Sequence, residues 1–159
     1  MFDFAPNTQD KPALYTDLLS AADAVTKGEP DGIANMANVA ALLMQFLPDC
    51  NWTGFYRAVN GELVLGPFQG KAACIRIAFG RGVCGAAAAS GESQLVADVH
   101  AFPGHIACDA DSRSELVVPV TRGGVVIAVI DLDSPTPARF DGADQAGIEM
   151  LADLIAHRI

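Results

Sequence analysis

The sequence predicts an α+β chain in which a central antiparallel sheet is packed by helices from its two ends. Three observations carry this. Apolar residues recur at helical spacing as far as Leu47, the period changes to two from Trp52, and helical spacing returns after Asp141. At 159 residues the chain suits a single domain, 1–159, long enough to bury a core without disulfide staples.

Asp10-Lys11-Pro12 reads as a helix start with proline in the first turn. Leu14, Leu18, Leu19, Ala22 and Val25 then form an apolar stripe that stops at Lys27-Gly28. Asp31 opens a second helix, with Ile33, Met36, Ala37, Ala40, Leu43, Met44 and Leu47 on its inner face before Pro48. Trp52–Val59 and Glu62–Gly66 flank Asn60-Gly61, the dipeptide that supplies the positive φ angles of a type I′ hairpin turn. A short strand is expected at Ala73–Ile77. Gly80–Gly85 then leads into an alanine-rich helix ending at Ser90-Gly91, and another strand covers Ser93–Val96. After a long loop from Asp98 to Arg113, strands Glu115–Thr121 and Val125–Leu132 pair through Arg122-Gly123-Gly124. Asp141 caps a closing helix that turns Ile148, Leu151, Leu154 and Ile155 inward.

A formal charge of -9 argues against partners held by phosphate-backbone contacts, which need clustered lysine and arginine. No apolar run approaches the length of a membrane span, and the N-terminus carries neither a basic region nor an apolar signal core. A soluble, cytoplasmic protein is therefore expected. The four cysteines, Cys50, Cys74, Cys84 and Cys108, are too few and too scattered for a secreted disulfide framework, so any disulfide among them is expected to be transient.

Cys108 stands out, because it lies in a polar loop, Phe102-Pro103-Gly104-His105-Ile106-Ala107-Cys108-Asp109, where a thiol can be tuned and reached. Cys84 falls at a glycine-flanked helix start, where the helix dipole is expected to lower its pKa, and Cys74 ends a segment near Lys71. Both are candidate resolving thiols. Cys50 has no reactive neighbours and reads as a core bystander. Asp131 and Asp133 alternate on one strand and so share a face, and Glu115 on the paired strand can join them. Crowded carboxylates raise one another's pKa, which makes one of them a candidate general acid. Cys74, Cys84, His105 and Cys108 lack the close pairing of zinc ligands, so no metal is expected. A Cys-His hydrolase built from Cys108 with His105 or His100 would leave the carboxylates and the other two cysteines unexplained. His157 reads as a partner of the closing helix dipole.

The blocks Asn51–Tyr56, Leu65–Gly70, Phe79–Gly85, Asp98–Asp109, Ser114-Glu115 and Asp131–Pro135 resemble the GAF-domain free methionine-(R)-sulfoxide reductases over nearly the whole chain. The resemblance implies a GAF-like fold and an oxidoreductase that turns free methionine-(R)-sulfoxide into methionine. It matches Cys108 to the catalytic thiol and Cys74 and Cys84 to the other motif cysteines, with Cys74 the main resolving partner. It also matches Trp52 and Tyr56 to the aromatic pocket, and Glu115, Asp131 and Asp133 to the acidic cluster. Chemistry of that kind uses a sulfenic acid and a disulfide reduced by thioredoxin or a similar dithiol, with no cofactor. The alternative from another class is a GAF-type module that senses a small ligand without chemistry. The oligomeric state stays open at this point, a homodimer included.

Overall fold

The computed structural model describes residues 4–6, 10–104, 106 and 109–159. Helices α1 (Lys11–Thr26) and α2 (Gly32–Phe46) are followed by β1 (Trp52–Val59), β2 (Glu62–Gln69) and β3 (Arg76–Ala78). Then come α3 (Gly82–Ser90), β4 (Gln94–Val96), a 3-10 turn (Val99–Ala101), β5 (Ser114–Arg122), β6 (Val125–Ser134) and α4 (Gly142–Ile155). The six strands form one antiparallel sheet in the order β3-β2-β1-β6-β5-β4.

Local chemistry sets the element ends. The side chains of Asp10, Asp31 and Asp141 accept backbone N–H bonds at the starts of α1, α2 and α4, satisfying donors that a first turn leaves free. The Asn60-Gly61 turn has φ of 52° and 84°, the left-handed pair a type I′ turn requires. Gly85 lets α3 approach the end of β3: a Cβ there would sit 2.5 Å from the Ala78 carbonyl oxygen. Buried Asp144 ties α1 to α4, accepting from Lys11 at 2.6 Å and from the Tyr15 hydroxyl at 2.8 Å.

Strand alternation divides the core in two. Phe55, Leu116, Val118, Ile130 and Leu132 pack with α1, α2 and α4 on one side of the sheet. Trp52, Tyr56, Val117 and Val129 pack with Val83, Cys84, Ala87 and Ala88 of α3 on the other.

Some details differ from expectation. The third strand is Arg76–Ala78 rather than Ala73–Ile77, because this edge segment pairs only with β2 and the Cys74 carbonyl instead accepts from the Tyr56 hydroxyl at 3.0 Å. Ile33 and Ala37 are exposed; the inner face of α2 is carried by Asn35, Met36, Val39, Ala40, Leu42, Leu43 and Phe46.

Candidate active site

The register of the central strands assembles the site. Asp133 stands between Trp52 of β1 and Glu115 of β5, and Asp131 between Gly54 and Val117, so the three acids share the sheet face that α3 covers. Glu115 and Asp131 are each only 6% exposed. Cys84, in the first turn of α3, places its Sγ 3.9 Å from the Glu115 carboxyl. These groups line a small cavity with Tyr56, Ile77, Arg81, Gly82, Val83, Ile106, Asp109 and Ser112, enclosing about 30 Å³, space on the order of a water molecule or two.

Burial is the main electrostatic force here. It pushes Glu115 well above the carboxylate range, assisted by repulsion from Asp131 and Asp133. Asp133 is raised by burial and then by Asp131, although a hydrogen bond from Ser112 works the other way. Asp131 is pushed up to about 7 by burial, against the hydrogen bonds it shares with Cys84 and Glu115. Asp131 Oδ1 is buried with no hydrogen-bond partner. This cluster therefore retains protons at neutral pH, as a general-acid site needs.

Cys84 corrects the sequence expectation. Its position at a helix start argues for a lowered pKa, yet burial and then repulsion from Asp131 and Glu115 push the thiol well above its ordinary value. The dipole acts within one turn and is worth at most about 2 kcal/mol, which loss of water and adjacent acids outweigh. Cys74 is disulfide-bonded, whereas Cys50 and Cys84 are free thiols. Cys50 packs against the helix-side core, its thiol pushed up to about 12 by burial, in keeping with a bystander.

Cys108 and His105 lie outside the described residues. The segment that follows, from Asp109 to Ser112, is anchored by side chains from two other parts of the chain. Lys71 Nζ pairs with Asp111 at 2.6 Å and Asp109 at 3.3 Å, and Asn51 Nδ2 donates to Asp109 at 3.3 Å and to Ser112 at 3.2 Å. Tyr56 reaches the cavity. Trp52 stands behind it, stacked between Tyr56 and Phe68 at centroid distances of 5.9 and 5.2 Å, with its indole N–H donating to the Lys71 carbonyl at 3.1 Å. Exposed His100 does not line the cavity. Sequence reasoning did not single out Asp109, Ser112 and Arg81 as site residues. Asp109 lay in view next to Cys108, and Arg81 between two glycines, but Ser112 carries no local signal.

The GAF domain profile matches residues 36–159. The free methionine-R-sulfoxide reductase of Escherichia coli is 48% identical over 142 residues, covering 89% of this chain and 86% of that protein. Its namesake from Saccharomyces cerevisiae is 41% identical over 154 residues, covering 92% of this chain and 86% of that one. The free methionine-R-sulfoxide reductase of Neisseria meningitidis, solved in complex with its substrate, superposes with a TM-score of 0.95 at 45% identity, covering 99% of this chain and 95% of that one. No helix among the described residues is long and apolar enough to cross a membrane. With the profile matched over most of its length and reductases aligned over most of both chains, this chain belongs to the GAF domain family, in the branch that resembles the free methionine-R-sulfoxide reductases.

Proposed function

We propose that this protein reduces free L-methionine-(R)-sulfoxide to L-methionine, with Cys108 as the nucleophile. The observation that carries the reading is Glu115, buried against Asp131 and Asp133 and held above the carboxylate range, in a cavity flanked by the loop that bears Cys108. The Cys108 thiolate attacks the sulfoxide sulfur as Glu115, assisted by Asp133, protonates the departing oxygen. In the adduct so formed the hydroxyl shifts from the substrate sulfur to Cys108 Sγ as the S–S bond between them breaks; that electron pair returns to the substrate sulfur, releasing methionine reduced by two electrons and leaving Cys108 as a sulfenic acid. The Cys74 thiol then condenses with that sulfenic acid, releasing water and forming a disulfide, and thioredoxin or a similar dithiol donor reopens it by exchange.

The bonded state of Cys74 supports its role as resolving thiol. Cys84, buried and pushed up in pKa, is the poorer attacking group. Asp131 accepts the substrate ammonium through its unpartnered oxygen, Arg81 faces the substrate carboxylate, and Tyr56 backed by Trp52 walls the methyl group. Both ends of a free amino acid are then paired, so peptide-bound residues lacking those charges are rejected. A ligand-sensing module without chemistry is less well supported: it requires a pocket, but not protonated acids or a disulfide beside it.

The test is a single-turnover assay of the fully reduced protein. Wild type is expected to release one methionine from the free R form and little from the free S form or from an N-acetylated, C-amidated R form. Cys108→Ser is expected to release none, and stoichiometric methionine from that variant overturns the assignment. Cys74→Ser is expected to keep the single turnover but lose thioredoxin-driven cycling more than Cys84→Ser does. Undiminished cycling in both removes any resolving role.

A further inference from the structure

Among the described residues that line the cavity stand four carboxyl groups and a thiol, Cys84; Asp109 is paired with Lys71, which leaves Glu115, Asp131 and Asp133 with one lining cation, Arg81. Such an assembly is stable only if it keeps its protons or takes up a positive charge. A substrate ammonium is one such charge. The geometry also accommodates another.

One ligand atom each from Cys84, Glu115 and Asp131 lie within 4.8 Å of one another, and all three residues are buried. Around a tetrahedral zinc with bonds of about 2.0 to 2.3 Å, neighbouring ligand atoms are about 3.4 to 3.6 Å apart. Side-chain rotations of about 1 Å therefore close the triangle, whose Cys84–Glu115 edge is already 3.9 Å. The three come from α3, β5 and β6, elements packed together, so the backbone holds them in place. Asp131 Oδ1, buried and without a partner, is the independent sign of a missing ligand. The adjoining space of about 30 Å³ admits a water as fourth ligand.

We propose that Cys84, Glu115 and Asp131 form a three-ligand site for one zinc-class divalent cation. A thiolate among two carboxylates selects zinc or cobalt over magnesium and calcium, which take all-oxygen shells. On binding, the Cys84 thiol and any protonated carboxyl release their protons to solvent, and the cation neutralises the charge left behind. The site gives Cys84 a role that reduction and recycling do not require. Occupancy also removes Glu115 and Asp131 from the substrate, so the cation and free methionine sulfoxide compete. This competition, unlike the site itself, rests on the function proposed above.

The experiment titrates Co²⁺ into the protein with Cys74 in its disulfide. One saturable site is expected, with thiolate-to-cobalt charge-transfer absorption and the strong visible bands of tetrahedral cobalt, both removed by Zn²⁺. Cys84→Ser should lose the charge-transfer band and Cys50→Ser should keep it. Asp131→Asn should weaken binding by more than the roughly 10-fold to 100-fold typical of losing an outer-shell partner. Absence of the band in wild type, or its persistence in Cys84→Ser, overturns the proposal. If Cys84→Ser does not fold, alkylation mapping of wild type decides: Zn²⁺ that slows labelling of Cys84 but not Cys50 upholds the site, and equal labelling overturns it. Free methionine-(R)-sulfoxide should displace the cobalt. If cobalt binds through Cys84 and is not displaced, the metal site stands and the competition falls.

Discussion

The two faces of the central sheet are built by the same strands, residue by residue, yet they meet opposite fates. On the helix-covered face Phe55, Leu116, Ile130 and Leu132 are fully buried among apolar neighbours from α1, α2 and α4. On the other, Glu115 and Asp131, one position removed on the same strands, are buried with a thiol and a further acid. The first face supplies stability. The second spends part of it, because burying carboxylates costs free energy unless they are protonated or paired. A single strand thus serves both purposes by alternation alone, and one-residue steps separate packing from chemistry.

Substitutions on the two faces should therefore separate rate from stability. The largest effect is expected for Glu115→Gln, which should slow methionine release in a single turnover on the order of 100-fold to 10,000-fold while leaving the urea midpoint at or above wild type. An unchanged rate would move the proton donor elsewhere. The same donor makes the rate pH-dependent: the reductive step should fall as pH rises through the raised pKa of Glu115, and Glu115→Gln should lose that limb of the profile.

On the opposite face, Leu132→Ala should cost about 2 to 5 kcal/mol in urea unfolding, with the rate per folded molecule kept. A loss of rate without loss of stability would show that the faces are not separable in this way.

The smallest effect concerns Asp131, and its sign follows from proton binding. The folded pKa, about 7, lies above the ordinary 3.8, so the folded chain holds the extra proton between these values. Stability is then lost as pH rises across that window, and the cost is fully present above it. Asp131→Asn removes the cost and should raise the melting temperature by a few degrees at pH 8 and by less at pH 5. Equal shifts at both values would mean that Asp131 is ionised throughout.

Much of this was legible in the chain. The aspartate caps, the Asn60-Gly61 turn and the Gly123-Gly124 turn are local, fixed by the φ angles and hydrogen bonds of a few neighbouring residues. Alternation placed Asp131 and Asp133 on one face, but the turn alone would set Glu115 opposite Leu132; the register shift between Val120 and Thr121, which has no local signal, brings it opposite Asp133. The resemblance of whole motifs pointed to the family. The strand at Ala73 and the inner position of Ile33 misled, since an edge strand and a helix rim are decided by neighbours distant in the sequence.

What only the tertiary structure decided is the environment of each charged group. A helix start suggested a reactive Cys84, but the pKa of a thiol depends on how much water it keeps and which charges face it, and both are set when α3 closes over β5 and β6. Ser112, Asn51 and Lys71 entered the picture for the same reason, joined across 38 to 61 positions of chain. Periodicity, caps and turns are short-range properties that sequence alone determines. Burial and electrostatics arise from contacts between distant segments, and those exist only in the folded protein.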